Sequence, residues 1–459
     1  MKKVETIKRL IILQLSFIGL VFQTAVYAYF WLEAYYPFLR EHRRFRFYFK
    51  GHVLILAIYF VLLFFFANTY GALKIGYLKA VDVFVSEIFS LLIVNVISYF
   101  QISLMANWLV DVRPIVWTML LQTAFAGLWV FICNFCYYKA FPPREVLIIH
   151  GERPVDAMVA KFETRKDKYK IKKCINISEG METVRKEIQA GYGAVALWDI
   201  SAMDRNALLK YCYSISMRVY TMPKISDVLL RGADQLHLFD TPLYLTREYS
   251  LKVGQRVAKR VIDLVCSVLL LVTASPFMLI TAIAIKLYDG GPVLYKQIRC
   301  TRDRKEFFIL KFRSMRVDAE KDGVARLAAK NDSRITPVGK FIRATRIDEL
   351  PQLFNIFKGE MSFIGPRPER PEIIDQYMED MPEFAFRMKV KAGLAGYAQV
   401  YGKYNTTPYD KLKLDLTYIE QYSVWLDIKL MLLTLKILIK PESTEGVDST
   451  QITAAKNEK

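Results

Sequence analysis

Four long apolar runs open the chain, near residues 10–32, 52–70, 80–104 and 114–137. Each is close to the ~20 residues with which a helix crosses the hydrocarbon core of a bilayer. Residues 1–140 are therefore expected to form a bundle of four transmembrane helices. The first, second and fourth runs carry no charge between their flanks, and the third carries Asp82 and Glu87 near its start. Trp31, Tyr35 and Tyr36 close the first run, and Tyr137 and Tyr138 the fourth, as an interfacial aromatic belt does. Met1-Lys2-Lys3 leads into the first run without a small-residue cleavage site, so that run reads as a retained helix rather than a signal peptide. Four crossings return the chain to its starting side. The first connection, 40–50, carries Arg40, Arg43, Arg44, Arg46 and Lys50 yet falls by this count on the outer side. That runs against the positive-inside bias, and the sequence offers no physical account of it.

From residue 144 the period changes. Short β-rich runs at 146–149, 169–177, 194–200 and 218–222 alternate with helical patterns at 155–164, 178–190, 202–216 and 224–231. Such alternation predicts a parallel sheet faced by helices, a Rossmann-like α/β module over 144–250. Its first strand-to-helix turn reads His150-Gly151-Glu152-Arg153-Pro154. A dinucleotide fingerprint needs three glycines there, so that backbone can approach a pyrophosphate. This turn has one, which favours a structural or regulatory module over a nucleotide-binding one.

The third region, 252–459, opens with Lys259-Arg260 and then runs uncharged from 264 to 285, 22 residues, long enough for a crossing. Ser275-Pro276 sits midway, where proline removes a helical hydrogen bond and bends the chain. Each arm is only about 15–18 Å long at ~1.5 Å per residue. The expected structure is a re-entrant helix–break–helix hairpin over 259–288, breaking at Ser275 and Pro276, followed by a mixed α/β domain. Near the end, 427–440 is an apolar helical run whose Lys429, Lys436 and Lys440 are spaced to share one face, as in an interfacial helix. Core packing explains its leucines equally well.

Hydrophobic residues make up 53% of the chain and charged ones 24%, so membrane-embedded and water-facing parts must coexist. The net charge of +19 calls for an anionic partner or reflects a positive-inside bias. Residues 296–346 concentrate it, with fifteen Lys or Arg against six Asp or Glu. That density suits a surface lying on anionic lipid, a pocket clamping a diphosphate, or a solvated basic face. Six scattered cysteines form no disulfide framework, and Cys133 with Cys136 makes at most half a zinc site inside an apolar run. The water-facing parts are expected in a reducing cytoplasm.

No histidine lies beyond His237, which excludes imidazole acid–base chemistry from 252–459 and leaves carboxylates with a metal ion. Three clusters there carry candidate chemistry. The first runs from Gly290-Gly291-Pro292-Val293 through Tyr295, Gln297 and Arg299 to Lys311-Phe312-Arg313-Ser314-Met315. In the second, Arg343-Ala344-Thr345-Arg346-Ile347-Asp348-Glu349-Leu350-Pro351-Gln352-Leu353, adjacent carboxylates lie beside two arginines. One carboxylate can attack phosphorus while its neighbour holds a divalent cation, and basic neighbours are expected to keep both ionised. Acidic residues at a helix N-terminus are the bland alternative. In the third, Gly359-Glu360-Met361-Ser362-Phe363-Ile364-Gly365-Pro366-Arg367-Pro368-Glu369, two prolines fix the direction of an arginine whose planar fork suits phosphate oxygens, with a surface turn as the bland alternative.

Together these motifs resemble the bacterial sugar transferase family, the monotopic polyprenyl-phosphate phosphoglycosyltransferases. The likeness covers roughly 255–440 and takes in Lys259-Arg260, Asp263, Ser275-Pro276, the three clusters, and Ala398-Gln399-Val400 with Gly402. The preceding spans and α/β module look like the large subfamily of undecaprenyl-phosphate hexose-1-phosphate transferases. The resemblance implies that Asp348 attacks the β-phosphate of a UDP-sugar and releases UMP, and that Glu349 binds Mg²⁺. It implies that Lys311, Arg313, Arg343, Arg346, Arg367 and Lys403 handle phosphates. A covalent phosphosugar on Asp348 would then pass to undecaprenyl phosphate at the plane of the lipid headgroups. Thr301, Ala392, Ala395 and Glu360 depart from the family pattern, which bears on loop shape and sugar choice.

The expected setting is the bacterial cytoplasmic membrane, with the catalytic domain facing the nucleotide-sugar pool, a lipid bilayer as partner, a homodimer as assembly and no nucleic acid. The expected step begins an exopolysaccharide, capsule or O-antigen. Two other readings stand beside it: a glycosyltransferase that moves sugar alone and releases UDP, and a non-enzymatic membrane assembly protein.

Overall fold

A computed structural model of the chain describes residues 2–43, 48–246, 251–317, 334–402 and 406–438. The basic stretch 44–47, Lys403 and Lys440 lie outside the described residues. The chain divides into two compact units, residues 1–222 and 223–459.

The first unit begins with α1 (Lys2–Phe30), which continues through a π-helical turn into α2 (Tyr36–Arg43). Then come α3 (Phe49–Tyr70), α4 (Ala80–Ala106) and α5 (Arg113–Ala140). The α1–α2 run and α3, α4 and α5 are each long and apolar enough to cross a membrane. Their outward faces are apolar, with Val61, Leu92, Leu121 and Phe131 among the exposed side chains. Their polar residues turn inward: Gln23, Ser90, Asn95, Ser98, Thr118 and Gln122 are buried. One network joins all four. Gln23 Nε2 donates to Glu87 Oε1 (2.9 Å), and Gln122 Nε2 donates to Tyr59 OH and to the carbonyl of Gln23 (both 2.8 Å). Tyr59 OH in turn donates to Asn95 Oδ1 at 2.9 Å, and Asn95 Nδ2 to Gln122 Oε1 at 2.8 Å. Apolar faces outside and a hydrogen-bonded polar network inside are what lipid surroundings demand.

The second half of this unit is the predicted α/β alternation: β1 (Arg144–His150), α6 (Asp156–Glu163), β2 (Tyr169–Asn176), α7 (Met181–Gln189), β3 (Ala194–Trp198), α8 (Ala202–Ser214) and β4 (Val219–Thr221). The sheet is fully parallel, in the order β2-β1-β3-β4. Alternate β1 side chains serve opposite faces. Leu147 and Ile149 pack with Val184, Ile188 and Leu208, while Val146 and Ile148 pack with Met158 and Phe162. Where the strand order reverses, between β1 and β3, the chain closes on itself. A Cβ on Gly151 would stand 2.1 Å from the Asp199 carbonyl oxygen, so this glycine admits a neighbouring backbone.

The second unit starts with α9 (Ile225–Arg231) and an antiparallel hairpin of β5 (Asp234–Leu238) and β6 (Thr241–Leu245). Next is α10 (Val253–Asp289), then a second antiparallel hairpin of β7 (Leu294–Cys300) and β8 (Glu306–Phe312). α11 (Pro337–Ala344), α12 (Gln352–Lys358), β9 (Ser362–Ile364), α13 (Pro371–Asp380), β10 (Gly393–Ala395), α14 (Tyr397–Tyr401), α15 (Pro408–Glu420) and α16 (Val424–Leu438) complete it. Lys436 of α16 is buried rather than displayed on an interfacial face.

The helix–break–helix expectation needs correction at its centre: α10 is one continuous helix with Pro276 inside it. The reason lies beside the proline. Pro276 has no N–H to offer the carbonyl four residues back, that of Val272. The Ser275 hydroxyl donates to that carbonyl at 2.8 Å and takes over the lost bond. Both arms of α10 nevertheless pack on this one unit. Lys259, Asp263 and Ser267 are buried on the first arm, and Thr281 and Ile285 on the second. Between them Val268, Leu269, Val272, Phe277, Leu279 and Ile280 are exposed.

Candidate active site

The site is built around a chain reversal. α11 ends at Ala344, and Arg346 then adopts a left-handed backbone with φ 60°. Such strain costs on the order of 1–3 kcal/mol for a residue with a Cβ and persists only where surrounding structure enforces it. Here it turns the chain into a 3-10 turn, Ile347–Glu349, between α11 and α12. Leu350 anchors the turn from below, packing both on the main core and on the cluster around Ile285, Phe312 and Ile342.

Two cations reach this turn from other elements. Lys311 stands near the end of β8, and its Nζ lies 3.3 Å from Glu349 Oε1. Arg367 follows β9, and its Nη2 donates to the same oxygen at 3.1 Å. Close backbone crossing aims the Arg367 segment: a Cβ on Gly365 would meet the Lys391 carbonyl oxygen at 2.4 Å, so only glycine fits there. α10 pins β9 from the other side. Asp263 Oδ1 accepts from Ser362 Oγ (2.9 Å) and Phe363 N (3.0 Å), and Lys259 Nζ donates to the Ile364 carbonyl and to Asp427 (both 2.7 Å).

The adjacent carboxylates are shifted in opposite directions. Burial raises both, but Arg367, Lys311 and Arg346 hold the Glu349 carboxyl well below its ordinary range. Burial and the neighbouring Glu349 charge push Asp348 up to about 6. Basic neighbours therefore act more strongly on Glu349, on which Lys311 and Arg367 converge, than on Asp348. Asp348 Oδ1 is buried with no hydrogen-bond partner, a state that costs about 1–3 kcal/mol. An orphaned carboxylate oxygen beside an ionised glutamate fits a hard divalent cation. Among the described residues no group of three or more acidic, His or Cys side chains is placed to hold a metal. A cation held there would have to draw its remaining ligands from phosphates and water, as Mg²⁺ commonly does.

Of the other predicted residues, Arg343 lies in the last turn of α11 with its Nη1 buried and unbonded. Arg313 goes elsewhere. It is buried, donates to Asp289 Oδ2 (2.6 Å) and the Pro292 carbonyl (2.7 Å), and makes a further contact with Asp289. Ser275 and Pro276 lie within α10, and Lys403 lies outside the described residues.

A supporting layer joins the motif residues Gln297, Arg299 and Glu369 to Asn355, Arg387, Lys411 and Asp415, which had no sequence signal. Glu369 takes Lys411, Arg387 (3.7 Å) and Arg299 (3.5 Å) at once. Arg387, 3% exposed, also donates to the Arg367 carbonyl at 2.9 Å and pairs with buried Asp415 at 2.8 Å. Arg299 donates to Gln297 Oε1 (2.6 Å) and to the Pro368 carbonyl (3.1 Å). Asn355 of α12 accepts from Leu310 N (3.0 Å) and donates to the Phe308 carbonyl (2.8 Å), fixing β8 and hence Lys311.

The family model for bacterial sugar transferases matches residues 254–441, which contain every element of this site. An N-acetylgalactosamine phosphotransferase of Aeromonas hydrophila, named for UDP-N-acetylgalactosamine and undecaprenyl phosphate, is 37% identical over 252 residues, 52% of this chain and 57% of the relative. An undecaprenyl-phosphate galactose phosphotransferase of Salmonella typhimurium is 34% identical over 247 residues, 50% of each chain. The chain thus spans about half the length of these two relatives. A UDP-glucose:undecaprenyl-phosphate glucose-1-phosphate transferase of Caulobacter vibrioides is 38% identical over 197 residues, 42% of this chain and 73% of the relative. With that coverage, and with the family model spanning the whole site, the chain belongs to the bacterial sugar transferase family.

Proposed function

We propose that this protein transfers a sugar-1-phosphate from a UDP-sugar to undecaprenyl phosphate and releases UMP. The carrying observation is the asymmetric acidic pair: Glu349 clamped by Lys311 and Arg367, and Asp348 with an orphaned oxygen. An Asp348 carboxylate oxygen forms a bond to the β-phosphorus. The bond from that phosphorus to the bridging oxygen breaks, and UMP leaves with the oxygen and the electron pair. Undecaprenyl phosphate then attacks the same phosphorus through one of its own oxygens, which frees the Asp348 carboxylate and yields a sugar diphospholipid. Arg343, Arg346 and Lys403 offset phosphate charge, while Arg367 and Lys311 keep Glu349 ionised. Glu349 and Asp348 would hold Mg²⁺, which supplies charge neutralisation for the diphosphate and favours the ionised form of Asp348.

The reaction joins a water-soluble donor to a lipid phosphate. α10 suits that task, since both its arms pack on the catalytic unit while its middle exposes only apolar and small residues. α10 is also long and apolar enough to cross a membrane, and its attachment to one unit at both ends is what supports entry and exit by one membrane face instead. On this reading the unit faces the cytoplasm from the cytoplasmic membrane, the protein acts as a homodimer, and the product begins an exopolysaccharide, capsule or O-antigen.

The test is nucleotide release. Purified protein is incubated with Mg²⁺, undecaprenyl phosphate and UDP-glucose, UDP-galactose, UDP-N-acetylglucosamine or UDP-N-acetylgalactosamine. UMP with one donor, absent in Asp348→Asn, is the expected result. UDP in place of UMP makes the protein a glycosyltransferase. Nucleotide release that survives Asp348→Asn removes the covalent mechanism.

A further inference from the structure

Within ten residues of chain in the second unit, Arg343 Nη1, Asp348 Oδ1 and Gln352 Nε2 are buried without hydrogen-bond partners. Arg343 and Asp348 already have roles in the reaction proposed above. Gln352 has none, and it is the most enclosed of the three, at 2% exposure. It is the first residue of α12, four positions after Asp348, so the turn that presents the carboxylate also presents the amide.

Asn355, one turn further along the same helix, shows what a structural amide does in this environment. At 1% exposure it spends Oδ1 on Leu310 N, and Nδ2 on the Phe308 carbonyl (2.8 Å) and Glu360 Oε2 (2.6 Å). Buried amide donors are otherwise almost always satisfied, and an exception calls for an explanation such as a ligand or a water. Arg343 and Gln352 thus each bring an unbonded donor to the chain segment that carries the unbonded Asp348 oxygen between them in sequence. Two donors flanking a nucleophile suit a tetrahedral oxyanion.

We propose that Gln352 is a substrate-contacting residue whose side-chain N–H donates to a non-bridging oxygen of the phosphoryl group accepted by Asp348. The inference rests on the phosphosugar-transfer reading. Gln352 makes and breaks no covalent bond and moves no proton. Its contribution grows as negative charge builds on that oxygen, so it acts on turnover more than on donor binding.

The experiment uses the full-length protein in nanodiscs, with the UDP-sugar the wild type accepts. Gln352→Met keeps the length and removes the donor. Gln352→Glu keeps the shape and guards against a packing artefact of the methionine. Both are expected to lower kcat about 100-fold, the usual loss for one oxyanion donor, while KM for the UDP-sugar moves less than about threefold. Gln352→Met should leave Tm unchanged or raise it, because a buried orphan donor disappears. Turnover of Gln352→Met within about threefold of wild type overturns the proposal and assigns the amide to an ordered water. So does a turnover loss in both variants that merely follows a fall in Tm. A wild type that releases no UMP from any donor sinks the underlying reaction as well, an outcome separable from the other two.

Discussion

Arg387 Nη2 donates to the main-chain carbonyl oxygen of Arg367 at 2.9 Å, across twenty residues of chain. The same guanidinium faces Asp415 and Glu369, all three within the interior. One buried arginine therefore holds both the backbone that aims Arg367 and the carboxylate that follows it. Replacing Arg387 by methionine strands the buried Asp415 carboxylate and takes one of three cations from Glu369, and stranding a buried charge typically costs about 3–5 kcal/mol. A marked drop in Tm with loss of nucleotide release is expected. Arg387→Lys, which keeps the charge but loses the fork, should recover stability before activity. Thermal unfolding and UMP release on the same samples separate the two effects. Equal activity for wild type and Arg387→Lys would mean that the Arg367 carbonyl contact aims nothing.

The acidic pair predicts a metal requirement with a specific profile. EDTA should stop nucleotide release, and Mg²⁺ or Mn²⁺ should restore it better than the larger Ca²⁺. Glu349→Gln removes a candidate ligand and leaves Lys311 and Arg367 facing each other without their shared carboxylate. It should lower the rate and raise the Mg²⁺ concentration for half-maximal rate by about tenfold or more. An unchanged Mg²⁺ dependence in Glu349→Gln would remove Glu349 from the metal.

The bundle of the first unit makes an independent prediction. Gln122 touches three other helices through two donors and one acceptor. Gln122→Leu leaves Tyr59, Asn95 and the Gln23 carbonyl short of partners in surroundings that offer no water. Intramembrane hydrogen bonds average about 0.6 kcal/mol and reach about 1.7, so the loss of three should cost on the order of 2 kcal/mol. Thermal unfolding in nanodiscs reads this directly, and no change in Tm would show the network to be incidental.

Local pattern was legible in the chain where it reports on neighbours in sequence. The strand expected at 146–149 is β1, extended to Arg144–His150, because alternation along a strand is written in consecutive residues. The motif clusters were legible too, since Lys311, Asp348, Glu349 and Arg367 carry their chemistry in their identity. Pairings across the fold were not. Arg313 and Lys311 look equivalent in sequence, yet Asp289, 24 residues earlier, takes the first for the end of α10, while Glu349 takes the second. Arg387 and Asp415 sit in no motif at all, because their partners are fixed by packing rather than spacing.

The continuity of α10 through Pro276 shows most directly how one side chain changes the reading. Proline alone predicts a broken helix, since Val272 would keep an unpaired carbonyl in apolar surroundings. Ser275 Oγ fills that place at 2.8 Å. Ser275→Ala should therefore cost about 0.5–1.5 kcal/mol, the net worth of one such hydrogen bond. Pro276→Ala restores the backbone N–H and makes the hydroxyl redundant. In that background Ser275→Ala should cost almost nothing, so the two changes are strongly non-additive. A double-mutant cycle of thermal unfolding in nanodiscs measures the coupling. Additive losses would mean that the serine serves something other than the carbonyl the proline leaves behind.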